Sequence, residues 1–136
     1  MNIKTDWQRA ALTEKASIKD AIENLVASSL QIILIIDSNN VLLGVVNDGD
    51  IRRGVLRGLS LEDSIKNVIN REPLVVDKDA STVSVIRLMN LNVIHAIPIV
   101  DKNRRVLGLH LLNEMIMPEK HNKILMNSFN HTMNIR

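Results

Sequence analysis

Between positions 47 and 53 the chain gathers one amide, two carboxylates and two guanidiniums: Asn47, Asp48, Asp50, Arg52 and Arg53, in the stretch GVVNDGDIRRG. Gly44, Val45 and Val46 read as the end of an apolar strand, and Asn47 as the start of a helix. Asn is a strong N-cap, and a carboxylate in the first turn complements the helix dipole. The same N-terminus attracts anions through its free N–H groups. The planar fork of an arginine suits phosphate oxygens. A capped helix and a phosphate site therefore both fit these residues. Neighbours on a helix point about 100° apart, so at least one of Arg52 and Arg53 belongs on a solvated face.

The elements that would hold this cluster occur twice. IIDSNNVLLG from Ile35 matches IVDKNRRVLG from Ile99 without a gap, an offset of 64 residues. The offset also pairs Ser17 with Ser81, Asp37 with Asp101 and Gly44 with Gly108. Each copy reads strand–helix–strand–strand–helix. In the first, the strand is Ala11–Leu12 and the helix runs from Ser17 to Ser29, with Ser17 and Asp20 forming a capping box. Strands follow at Ile32–Ile36 and Val41–Val46 around the turn Asp37–Ser38–Asn39–Asn40, then the helix from Asn47. In the second, the strand is Leu74–Val75–Val76 and the helix starts at Ser81. Strands follow at Ile97–Val100 and Val106–His110, and a helix starts near Leu112. Between the copies, SLEDSIKNVIN (Ser60–Asn70) is expected to form a short helix stopped by Pro73. The fold class is mixed α/β. The expected division is 1–70 for the first copy with its N-terminal segment, 71–117 for the second, and 118–136 for a C-terminal tail. Units of about sixty residues bury little surface alone, so the two copies should pack together.

Composition narrows the function. Apolar residues make up 46% of the 136 and aromatics 1%, so the core is aliphatic and only Trp7 and Phe129 could stack on a base. With 17 Lys and Arg against 15 Asp and Glu, a net charge of +2 points to neither nucleic acid nor a membrane surface. Without cysteine there is no disulfide or thiol chemistry. The longest apolar run, Ile32–Ile36, is far too short to span a bilayer, and the opening MNIKTDWQRA is not that of a signal peptide. A cytoplasmic protein is expected. His95, His110, His121 and His131 lack metal-ligand spacing. The turn at Asp37 begins like a calcium loop and fails at Val41 and Leu42. No Gly-rich phosphate loop follows a strand.

The doubled pattern, with Gly-x-x-(Thr/Ser)-x-x-Asp opening a helix, resembles a tandem pair of CBS domains, from about Leu12 to Met117. GVVNDGDIRRGVLRGLSLED, the Trp7 segment TDWQRAALT and VLGLHLLNEM resemble the pairs fused to sugar-phosphate nucleotidyltransferases. The resemblance implies two β-α-β-β-α repeats related by a pseudo-twofold axis. It also implies a non-catalytic module that binds an adenosyl nucleotide (AMP, ADP or ATP) as a regulatory ligand between the repeats, requires no cofactor, and forms a homodimer. By the same resemblance, Asp50 holds the ribose and Arg52 and Arg53 reach phosphate. His95, Ile97 and Pro98 in HAIPIVD contribute from the second repeat, with His95 facing a phosphate. Asn47 stands where the family has Thr or Ser; its amide can still cap the helix and donate from nitrogen.

The offset makes the two potential sites unequal. Asn47 pairs with Leu111, Asp50 with Glu114, Arg52 and Arg53 with Ile116 and Met117, and His95 with Gln31. Gln31 and Glu114 would mark a second, weaker site. Apolar residues on the helices, including Ile65, Val68, Ile69, Val55, Leu56 and Leu59, favour a dimer. A nucleotidyltransferase domain is a candidate partner, but NSFNHTMNIR lacks the glycines that would begin one, so that domain is expected to lie outside this sequence. Leu125, Phe129 and Met133 could form a helical stripe in the tail, although a frayed end is the expected state.

Overall fold

The computed structural model describes residues 6–116. Strands β1 (Ala11–Leu12), β2 (Ile33–Ile36) and β3 (Leu42–Val46) form one sheet in that order, and β4 (Ala96–Val100) and β5 (Val106–Leu111) form another. Helices α1 (Ile18–Ser28) and α2 (Asp48–Leu56) belong to the first repeat, α3 (Thr82–Asn92) and α4 (Leu112–Ile116) to the second. Within the first sheet β1 is parallel to β2, and β2 is antiparallel to β3. Val76 bridges Ile99 in parallel, occupying in the second sheet the place of β1 in the first. It does so through a single bridge, with Val76 N–H donating to Pro98 O and Val100 N–H donating to Val76 O.

Polar side chains set the element boundaries. Ser17 and Asp20 close a capping box at α1, as expected, and Ser81 Oγ accepts from the Ser84 N–H at α3. Each such cap contributes about 1 kcal/mol. In the hairpin turns, Asp37 Oδ1 accepts from the N–H groups of Asn39 and Val41, and Asp101 Oδ1 accepts from those of Asn103 and Arg105. These aspartates are thus consumed by their own turns, which accounts for the calcium-like beginning of the Asp37 stretch. Asn40 and Arg104, 64 residues apart, share a left-handed backbone with φ of 64° and 63°. Their carbonyls join the repeats: Leu42 N–H donates to Arg104 O and Val106 N–H to Asn40 O.

The alternation of side chains along β2 divides the core. Ile32 and Leu34 face the other repeat, where they pack with Leu42, Val45, Ala96, Val100, Val106 and Leu109 in one cluster. Ile33 and Ile35 face the helices and pack with Ile18, Ala21, Val46 and Ile51. A strand buried on both faces must be apolar throughout, and this explains the uninterrupted run Ile32–Ile36. In the second repeat Ile97 turns to Val85 and Met89 on α3.

Two expectations need correction. Ser60–Asn70 is not a helix: only a single 3-10 turn forms, at Ile65–Val68, with Ser64 Oγ accepting from Lys66 N–H. The segment must instead end extended, because Asn70 exchanges both backbone hydrogen bonds with Val45 at 2.9 Å. Ile65 and Val68 are also not dimer surface. They are buried in the core of the first repeat, with Ile69 and Leu59 packed against it. The large apolar side chains left exposed on the first-repeat helices are Ile22, Val26, Val55 and Leu56, the last at 83%. The tail 118–136 and its apolar stripe lie outside the described residues. Among the described residues no helix is long and apolar enough to cross a membrane.

Candidate functional site

Strand β3 delivers the polar cluster to the boundary between the repeats. Gly44 is required there by close approach: a Cβ would lie 2.6 Å from Asn70 O. That contact brings the connecting segment, Asn70 to Leu74, alongside the start of α2. Asn47 caps α2 by accepting the Asp50 N–H on its Oδ1 at 2.8 Å, and Asp50 Oδ2 accepts the Asn47 N–H at 2.9 Å. This leaves the Asn47 amide nitrogen free to donate. Arg53 folds back over the first turn to place Nη2 2.8 Å from Asp50 Oδ1. Gly49 makes room for it, since a Cβ there would sit 3.2 Å from Arg53 Nη1. Arg52 points elsewhere and pairs with Asp48 on an exposed face.

A cavity of about 690 Å³ opens where these residues meet the second repeat. Asn47, Asp48, Gly49 and Arg53 line one side, and His95, Ala96 and Pro98 another. Asn70, Glu72, Pro73 and Leu74 of the connecting segment complete the wall. Helices α1 and α3 both end at the cavity in left-handed residues, Ser29 (φ 58°) and Val93 (φ 53°). Such a backbone is uncommon for any residue with a side chain, and strained for a β-branched one.

Of the residues singled out in the sequence, the structure brings together Asn47, Arg53, His95 and Pro98 around this cavity. Gln31, expected in a separate cleft, lines the same cavity as its repeat partner His95. Asp50 is not in the cavity wall; its carboxylate lies one layer behind, between the Asn47 N–H and Arg53. Arg52 is outside the wall. Ile97 is fully buried against α3, on the face of β4 opposite to the cavity. Glu114 lies on α4, outside the wall. Asn70 and Glu72 were not anticipated as lining residues. Their signal in sequence was Pro73, read only as a helix stop, and the contact that draws them in is between residues 26 positions apart, Gly44 and Asn70.

The doubled architecture finds its counterpart in known proteins: the CBS domain family matches residues 9–57 and again 65–109. The chain belongs to the CBS domain family. This CBS pair is 30% identical over 106 residues to an uncharacterised protein of Helicobacter pylori strain J99, a match covering 77% of this chain and 32% of that protein. It therefore spans about a third of the length of that relative. Among solved structures, CBSX2 in complex with AMP is similar to the CBS pair at 22% identity, with a TM-score of 0.68 over 79% of this chain and 84% of that one. The cytosolic domain of the Mg2+ channel MgtE in complex with ATP gives 18% identity and a TM-score of 0.66, over 79% and 43%. These likenesses establish the fold. Among the described residues no group of His, Cys, Asp or Glu is arranged to hold a metal ion.

Proposed function

We propose that this CBS pair is a regulatory, non-catalytic module that binds one adenine nucleotide per chain in the cavity between its repeats. The observation that carries the reading is the meeting of Asn47 and Arg53 from the first repeat with His95 and Pro98 from the second around one cavity. The AMP and ATP complexes of the two similar structures support the choice of ligand. Asp50, one layer behind the wall, positions Asn47 and Arg53 for the ligand by holding the Asn47 N–H on one oxygen and Arg53 on the other. Arg53 and the free Asn47 amide donate to phosphate, with His95 opposite. Arg52 takes no part.

The module forms a homodimer through the exposed apolar residues of α1 and α2, and acts in the cytoplasm on a nucleotidyltransferase-type domain. The competing assignment is a structural dimerisation module whose sites no longer bind. Thermal shift and calorimetry with AMP, ADP, ATP, GTP and CTP separate the two. Adenine nucleotides should raise the melting temperature; at a ligand concentration of a hundred Kd the stabilisation is about 2.7 kcal/mol. Stoichiometry should be about one per chain, because a second cleft has Leu111 where the first has Asn47. No shift with any nucleotide would favour the structural module. Two equivalent sites would show that the second repeat retains binding chemistry.

A further inference from the structure

The charges around the cavity are unevenly compensated. Counting carboxylates and guanidiniums, the lining holds Asp48 and Glu72 against Arg53. Asp48 is paired with Arg52, and Arg53 with Asp50, so these four largely cancel. Glu72 has no ion pair among the described residues. Its sequence neighbour Arg71 is engaged 2.6 Å away by Glu14 and does not line the cavity. Nor is Glu72 on a loose strand end. Its N–H donates to Asn70 Oδ1, Pro73 follows, and Asn70 is bonded on both sides to Val45.

We infer that Glu72 is a selectivity residue that sets this site against polyphosphates, so that the ligand is a nucleoside monophosphate in preference to a triphosphate. The inference rests on the nucleotide reading above and specifies its ligand. Each phosphate beyond the first adds negative charge near an uncompensated carboxylate and finds no guanidinium in the lining besides Arg53, which Asp50 already pairs. At separations of a few ångströms in partly solvated surroundings, such a repulsion is worth roughly a factor of five to ten in affinity. A cavity of this size leaves charge, rather than space, to discriminate between the two ligands.

The test is calorimetry of the full chain with AMP and with ATP, in EDTA so that each nucleotide carries its own charge, on the native protein and on E72Q. AMP should bind the native protein at least tenfold more tightly than ATP. E72Q should narrow that ratio by roughly three- to tenfold, chiefly by tightening ATP, with AMP altered less than about twofold. Melting temperatures should agree, since Glu72 is exposed. ATP binding as tightly as AMP to the native protein overturns the inference while leaving the nucleotide site intact. An unchanged ratio in E72Q overturns the role of Glu72. A loss of AMP affinity in E72Q overturns it too, because Glu72 would then hold the nucleoside itself. If neither nucleotide binds the native protein, the nucleotide reading fails and this inference fails with it.

Discussion

The junction β3–α2 and the junction β5–α4 occupy equivalent places in the two repeats and differ in nearly every polar group. At the first, Asn47 caps the helix, Asp50 closes the capping box, and Arg53 returns to Asp50 across Gly49. At the second, Leu111 stands in place of Asn47 and is buried in the core between the repeats. The hairpins and their Asp37 and Asp101 turns, by contrast, are nearly superimposable in chemistry. The scaffold that docks one repeat on the other tolerates little change on either side. At the second helix start Leu111 is itself part of that docking core, where a buried apolar side chain takes the place of a polar cap.

Several substitutions would break or sharpen this contrast. Gly44→Val has the largest expected effect: Asn70 O lies 2.6 Å from where its Cβ must go, so the connecting segment has to leave β3. Overpacking costs of about 1–3 kcal/mol, together with loss of the Val45–Asn70 bonds, should lower the denaturation midpoint and remove nucleotide binding together. A normal midpoint would show that the segment shifts freely.

Asp50→Ala comes next. Asp50 holds Arg53 at the wall through a charged hydrogen bond, which contributes roughly 1.5–3 kcal/mol, so with Arg53 released nucleotide affinity should fall about ten- to a hundredfold in calorimetry. Binding at native strength would reduce Asp50 to a capping residue. The paired arginines give a smaller and sharper contrast within one helix turn. Arg53→Ala should weaken binding several-fold, whereas Arg52→Ala, whose ion pair is exposed, should leave affinity unchanged and stability within about 0.5 kcal/mol. Equal losses from both would refute the orientation described for them.

The smallest effect concerns His110, which stands on β5 where the first repeat has Val46 on β3. Desolvation by burial lowers its pKa from 6.5. The unfolded chain therefore binds this proton more readily than the folded one, and stability rises with pH across that window. Its contribution is present above about 6.5 and is lost as pH falls from there through the lower, folded value. Denaturation measured between pH 5 and 8 should show a decline on the acid side that His110→Val, copying the first repeat, diminishes. An identical pH profile in the variant would mean that other groups cause the decline.

The sequence by itself determined the doubled plan, because repeated turn aspartates, caps and glycines survive as a gapless match at one offset. It also determined the helix start at Asn47, since cap and box residues lie within four positions of each other and act locally. Tertiary structure decided which of two adjacent arginines faces the cavity. It set Asp50 behind the wall and Ile97 on the far side of its strand, and put Gln31 beside His95 instead of in a separate cleft. It also decided that Ser60–Asn70, although rich in helix-compatible residues, is drawn out between the start of α1 and β3: Ile18 and Lys19 donate to the carbonyls of Asp63 and Leu61, Ile65 donates to Ala16 O, and Asn70 exchanges bonds with Val45. The division follows range. Capping and turn chemistry reach three or four residues and are written where they act, while cavity walls are assembled from segments joined only when the two sheets close over their shared aliphatic core.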